Sequence, residues 1–494
     1  MAKTKIAIII ILLLAAFLRL YQIEGYMTFL GDEGRDALVV KDILINHHLV
    51  TLGPPTSIGN IYLGPLYYYM MAAAMWLGNM NPVAAAVMDA LIGVAAVYLV
   101  YYLTKTFFDQ TSGLVAAWLY SISPINIIYS HSSWNPNPAP FFSLLSMIFY
   151  HRFHQTRKLK WVILTGLMVG ATVQMHYLAL ILLIIYGALL CVEKYQGSIT
   201  NWSAIIRTGI IFTLSFLTTL IPWFLFEIKH NFLNIRAISE LFFGEKSGVG
   251  ISGISLIQKF YEVLINNLIG SYLTGGTIIL SMVILLIILD CIYRGRSWNY
   301  LMLAVWLIGG TIGVTFYKGN IYDHYLGFIT PAVFILLGSC WYFFQQKLQQ
   351  KPDHAKYIKM AQIVLVVLIA VLTFINLSKT PILYSPNNQL KRTQDVTKYV
   401  IEKSGGRPFN FALLSKNNYD SAYRFYLEQY GYPPKKVPEN KTDQLFVVCE
   451  DVDCNPPYSP KYEIAGFGMS KIDSVNEFSG VKVYKLVANP SGKP

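Results

Sequence analysis

The sequence predicts a polytopic α-helical membrane protein of about eleven spans, followed by a small α/β domain at the C-terminal end. Three observations carry this expectation. A mean hydropathy of +0.45, with 54% hydrophobic and only 13% charged residues, lies outside the range of ordinary soluble domains. Apolar runs long enough to cross a hydrocarbon core of roughly 30 Å recur along the chain and end near Leu377. Lysine and arginine are unevenly shared between alternate loops, as expected where cytoplasmic loops retain positive charge.

The predicted spans are residues 4–20, 84–103, 113–130, 138–151, 161–173, 178–192, 205–227, 275–291, 300–316, 326–344 and 360–377. With the N-terminus inside, fifteen Lys and Arg residues up to Leu377 face the cytoplasm, including Lys105, Arg152, Arg157 and Lys158. The outer side then carries eight, Arg19, Arg35, Lys41, Lys229, Arg236, Lys246, Lys259 and Lys318, in longer loops. Counting the apolar stretch from Ile61 to Leu77 as a span would invert every later loop. Gly64 to Leu77 is therefore expected as an interfacial helix with Tyr67, Tyr68, Tyr69 and Trp76 at headgroup level. The basic start MAKTK with its apolar run could open a secretory signal, but an uncleaved signal anchor is the expectation, since no small-residue cleavage site follows and Arg19 closes the segment. The net charge of +12 is accounted for by this bias and a basic tail, and needs no nucleic-acid partner.

The transmembrane part is thus 1–377 and the tail 378–494 an extracytoplasmic domain. In the tail, Arg392 to Glu402 and Tyr419 to Gln429 have helical periodicity, while Phe409 to Leu414, Leu445 to Cys449 and Val481 to Val487 read as strands. Nothing in the domain marks it as catalytic, and a docking or lid role is expected. Cys449 and Cys454 are compatible with a local disulfide, with two free thiols, or with half of a metal site whose second half is not evident.

The richest segment for chemistry is FLGDEGRDALVVKDIL, Phe29 to Leu44, in the first outer loop. Up to Leu377 the chain has fifteen acidic residues, and Glu24, Asp32, Glu33, Asp36 and Asp42 place five of them in or beside this segment. A helix beginning near Asp32 would put Asp36 one turn on, with Arg35 flanking both. Asp32 and Glu33 could simply cap that helix and favour its dipole. They could instead supply a general base or ligate a divalent cation, with Gly31 and Gly34 letting a substrate approach the backbone. HSSWNPNPAP, His131 to Pro140, is a rigid polar turn on the same side, where His131 and Asn135 could line one cavity with Asp32. Two further outer turns, Gln174 to Tyr177 and Asn320 to Leu326, present His176 and His324. Lys318 and His324, with Lys229, His230, Arg236 and Lys246, offer donors for an anionic leaving group. No nucleotide-binding motif and no HExxH occurs.

The ordered set of basic first span, Asp32-Glu33 pair, Gly64-Pro65-Leu66 turn and the segment Gly113 to Asn137 resembles the GT-C class of membrane glycosyltransferases. Within that class it is similar to the family 39 group of protein O-mannosyltransferases and lipid A aminoarabinose transferases. The resemblance covers about the first 380 residues. It implies a GT-C fold, a sugar donor linked to polyprenyl phosphate and drawn from the membrane lipid, inversion at the anomeric carbon, and Asp32 as catalytic carboxylate with Glu33 in support. The second outer loop departs from related enzymes in offering His131 and Asn135 but no carboxylate, which leaves any divalent cation an open question. The acceptor, whether protein hydroxyl, lipid or surface glycan, is not specified. A transporter or flippase for an amphiphile is the competing expectation, yet Asp89 is the main acid within a span, whereas transporters concentrate ionisable groups there. A noncatalytic scaffold would leave the first-loop acids unexplained.

Overall fold

A computed structural model describes residues 2–56, 61–199, 201–243, 253–271, 297–317, 319–350, 353, 355–451, 454–478 and 480–489. Its helices are α1 (Ala2–Leu20), α2 (Ile23–Tyr26), α3 (Gly31–Asn46), α4 (Leu66–Leu77), α5 (Pro82–Phe107), α6 (Gln110–Ser121), α7 (Pro124–Ser130), α8 (Ala139–Thr156), α9 (Leu159–Met175), α10 (Ile181–Tyr195), α11 (Trp202–Thr218), α12 (Ile221–Lys229), α13 (Leu233–Phe243) and α14 (Gly253–Tyr261). They continue as α15 (Trp298–Thr315), α16 (Thr330–Gln350) and α17 (Ala355–Ser378), then α18 (Gln389–Ser404), α19 (Ser421–Gln429) and α20 (Tyr462–Phe467) in the C-terminal domain.

Among the described residues four helical segments are long and apolar enough to cross a membrane: Pro82–Phe107, Tyr177–Tyr195, Trp298–Thr315 and Ala355–Ser378. They carry the spans expected at 84–103, 178–192, 300–316 and 360–377. The spans expected at 113–130 and 205–227 are each a bent pair of helices, broken by 63° between α6 and α7 and by 67° between α11 and α12. A proline in the first turn of the second helix marks each break, Pro124 and Pro222. Proline fixes φ and lacks the N–H needed to continue the preceding helix. The spans expected at 4–20, 138–151, 161–173 and 326–344 fall on α1, α8, α9 and α16, and the one at 275–291 lies outside the described residues.

α4, with 12 residues, rises about 18 Å and is too short to cross a bilayer alone. Two of its three tyrosines pack inward. Tyr67 and Tyr68 are buried against α3 and α5, and the Tyr67 hydroxyl donates to Asp89 at 3.0 Å, while Trp76 stays exposed. The acid within a span is therefore a tether: Asp89 also accepts the Trp134 backbone N–H at 3.2 Å.

The C-terminal domain is a four-stranded sheet ordered β1-β2-β4-β3, where β1 is Asn410–Leu414, β2 Gln444–Cys449, β3 Ser470–Phe478 and β4 Val481–Ala488. β1 and β2 are parallel, and the other pairings are antiparallel. α18 and α19 cover one face and α20 the other, burying Phe411, Tyr423 and Phe446 on the first side and Leu445, Val447 and Phe467 on the second. β3 has no counterpart in the sequence reading. As an edge strand it is mostly exposed, so its residues lack the apolar alternation that marks a half-buried strand. Cys449 and Cys454 form a disulfide, which settles the alternatives open at these positions.

Candidate active site

α3 begins at Gly31, and its first turn shapes the site. Thr28 and the Leu30 N–H donate to the two oxygens of Glu33, at 2.5 and 3.0 Å, closing a capping arrangement over the helix N-terminus. Glu33 is buried, and burial pushes its carboxyl above the ordinary value against the hydrogen bonds it accepts. Its carboxylate thus serves the backbone and does not line the cavity described below. This differs from the expectation of a supporting catalytic acid, because the third helical position is where a carboxylate can reach back to the cap.

Asp32, one residue earlier, points the other way and keeps 43% of its side-chain surface exposed. Arg35 bridges it to Asp36, with Nη1 at 2.7 Å from Asp32 Oδ1 and Nη2 at 2.7 Å from Asp36 Oδ1. Burial works against the Arg35 charge, but Asp36 and Asp32 outweigh it and hold the guanidinium above the usual arginine value. Asp36 is fully buried, which pushes its carboxyl up to about 7 with Arg35 opposing. Asp36 is a buttress for Arg35.

A cavity of about 380 Å³ opens beside Asp32 and Arg35. Its wall includes Asn135, His176 and His324, so three separate turns named from the sequence converge on it, with Trp134, Tyr177 and Tyr325 as an aromatic lining. Asn135 is fixed by donating to the Met175 carbonyl at 2.7 Å. His176 Nδ1 accepts the Leu178 N–H at 3.3 Å, which leaves the ring proton on Nε2. Burial, with His324 nearby, pulls the His176 pKa down to about 3, so the ring is neutral. The His324 ring lies 4.4 Å from Trp134, and its backbone N–H donates to Asp323 at 2.9 Å. Asp323 in turn accepts the Tyr129 hydroxyl.

His131 does not join them. It is buried against the end of α1, with Nε2 at 3.1 Å from the Leu18 carbonyl and its ring stacked on Tyr26, and burial lowers its pKa to about 4. The turn that brings Asn135 to the cavity sends His131, four residues earlier, into the core. Lys318 and Lys246 lie outside the described residues. Among the described residues no three His, Cys, Asp or Glu side chains gather as a metal site. Both Glu33 oxygens are taken by the cap and Asp32 Oδ1 by Arg35, so the two carboxylates do not chelate a divalent cation together.

The residue that sequence reasoning missed is Tyr419, which comes from the C-terminal domain, lines the same cavity and donates its hydroxyl to Asp32 Oδ1. The glycines of the first-loop motif explain how it gets there. A methyl group at Gly31 would lie 2.5 Å from the Tyr419 ring, and one at Gly34 would meet the backbone of Ser421 and Ala422. These glycines admit the domain, where the sequence reading had them admit a substrate. Two glycines three residues apart at the start of the helix, which places them on one face, were the local signal.

The sequence profile of the dolichyl-phosphate-mannose-protein mannosyltransferase family matches residues 63–223, which spans α4 to the start of α12 and includes the Asn135 and His176 turns. The crystal structure of ArnT from Cupriavidus metallidurans bound to undecaprenyl phosphate superimposes with a TM-score of 0.62 over 99% of both chains, at 13% identity. The chain has the GT-C fold. The apo form of the same ArnT gives a TM-score of 0.61 over 98% of both chains at 14% identity. The apo Archaeoglobus fulgidus oligosaccharyltransferase gives 0.53 at 16% identity over 88% of this chain, and this GT-C chain spans only 60% of that enzyme's length. No curated protein sequence matches the chain.

Proposed function

We propose that this protein is an inverting glycosyltransferase that moves a sugar from a polyprenyl-phosphate-linked donor to an acceptor on the outer face of the membrane, with Asp32 as general base. The observation that carries the reading is the placement of Asp32: a half-exposed carboxylate, anchored through one oxygen, at a cavity shared with Asn135, His176 and His324. Among the described residues Asp32 Oδ2 accepts no hydrogen bond and is left to take a proton. The acceptor gives up that proton as its heteroatom bonds the anomeric carbon, and the bond from that carbon to the phosphate oxygen breaks, releasing polyprenyl phosphate.

Charge build-up on the departing phosphate calls for donors opposite the base. His176, with its proton on Nε2, and His324 stand in the same cavity wall as Asn135, and Arg35 adds positive charge beside Asp32. A donor tethered to a lipid reaches such a site from the bilayer, which gives the surrounding helices a catalytic purpose. The fold shared with the ArnT that binds undecaprenyl phosphate supports a polyprenyl-phosphate donor. The transporter alternative gains nothing from Asp89, whose oxygen is held by Tyr67 and the Trp134 amide. Purified protein incubated with polyprenyl-phosphate sugars should transfer sugar, and Asp32→Asn should reduce turnover at least a hundredfold, within the usual range for a general base. Wild-type turnover in that variant would remove Asp32 as the base.

A further inference from the structure

The C-terminal domain meets α3 through polar contacts that a mere packing surface does not need. The apolar part is ordinary: Phe29, Ala37 and Val40 lie in one cluster with Ala422, Phe425 and Tyr426, and Lys41 pairs with Glu428 at 3.2 Å. The polar part is aimed at the first turn of α3. Asn418 Oδ1 accepts the Gly31 N–H at 2.7 Å, one of the helix's unpaired N-terminal donors. The other end of Asn418 donates to Glu450 at 2.9 Å, and Glu450 also accepts the Tyr423 hydroxyl at 2.8 Å. Tyr419, the next residue, places its hydroxyl between Asp32 Oδ1 and Arg35 Nη1, the latter at 3.0 Å.

Asp36 anchors Arg35 from below, but the link from Arg35 to the half-exposed Asp32 is a single pair through one oxygen, a constraint worth about 0–1 kcal/mol. With Tyr419 added, Asp32 Oδ1 has two donors and the carboxylate has one orientation. We propose that the C-terminal domain completes the active site: Tyr419 is a positioning residue that fixes Asp32 through Oδ1, and Asn418 holds the helix end that carries it. Oδ2 therefore faces the cavity in a defined direction only while the domain is docked. The proposal rests on the reading of Asp32 as the base. Burial and the bond to Asp32 both raise the Tyr419 pKa, so the hydroxyl stays a donor throughout the working range.

The test uses the full chain with Tyr419→Phe and Asn418→Ala, and two readouts. In the first, carbodiimide labelling of Asp32 is followed by mass spectrometry across pH; the reagent captures the protonated carboxyl and needs no turnover. Losing this hydrogen bond frees Asp32 Oδ1 and should raise the labelling of Tyr419→Phe about tenfold at a given pH, displacing its whole profile. Asn418→Ala should shift it in the same direction by less. In the second, turnover with a polyprenyl-phosphate sugar donor should fall roughly tenfold to a hundredfold in Tyr419→Phe, with the KM for the donor unchanged. A labelling profile in Tyr419→Phe that coincides with the wild-type one overturns the proposal, whether or not sugar is transferred. If Asp32→Asn keeps full turnover while the labelling profile shifts as expected, it is the base reading that fails. If Asp32→Asn is inactive while Tyr419→Phe is unchanged in both readouts, the domain's part fails alone.

Discussion

Replacing Gly34 with alanine tests the domain contact at its tightest point. The new methyl group would sit 2.5 Å from the Ser421 carbonyl carbon and nearer still to the Ala422 backbone. Backbone cannot swing aside as a side-chain tip can, so α3 and α19 must separate by about 1 Å to restore ordinary van der Waals contact. Overpacking of this kind costs about 1–3 kcal/mol. The catalytic effect should be larger than the loss of stability suggests, because the same displacement draws the Tyr419 hydroxyl off Asp32, and a misplacement of about 1 Å can cost about a hundredfold in rate. The assay is turnover with a polyprenyl-phosphate sugar, alongside thermal unfolding in detergent. Gly187→Ala is the control: nothing lies within 4 Å of a methyl group there, so helix propensity alone should make it neutral or stabilising by up to about 1 kcal/mol. A Gly34→Ala protein with wild-type turnover and midpoint would refute the argument that this glycine is required for domain docking.

Glu33 and His131 allow two further tests. If Glu33 is a cap, Glu33→Gln should retain most activity, whereas Glu33→Ala strands the Leu30 N–H, leaves the Thr28 hydroxyl only Ser132 as partner and should cost about 1–2 kcal/mol in thermal stability; equal loss of turnover in both variants would mark Glu33 as a chemical participant. His131 has a folded pKa of about 4, below its ordinary 6.5, so the unfolded chain binds a proton that the folded one does not between those values. Its contribution is whole above about pH 6.5 and is lost as the pH falls toward 4, on the order of 3 kcal/mol at the limit. His131→Gln should therefore flatten the acid side of the unfolding midpoint measured against pH, and an unchanged slope would contradict the burial argument.

Much of this architecture was legible without coordinates because it rests on short-range rules. Apolar runs near 20 residues and periodicity in the tail reflect forces acting over one or two turns, and they located most helices and five of the strands and helices that build the C-terminal domain. Charge clustering in a charge-poor chain pointed to Asp32, and the expected parity of the loops grouped His131, Asn135, His176 and His324 with it, of which all but His131 line its cavity.

What the tertiary structure decided is which way neighbouring side chains face and what arrives from far along the chain. Asp32 and Glu33 are adjacent and chemically alike, yet one looks into a cavity and the other closes a helix end, because successive helical residues point about 100° apart. His131 and Asn135 share a turn, and only the packing of that turn against α1 sends the first into the core. Tyr419 reaches Asp32 across 387 residues of sequence. No local pattern encodes such a contact; it exists because two glycines leave room for the Ser421–Gln429 helix and an apolar cluster holds it there. The sequence by itself determined a membrane-embedded bundle with an acidic segment after its first helix, while the packing of the tail onto that segment decided how Asp32 is held.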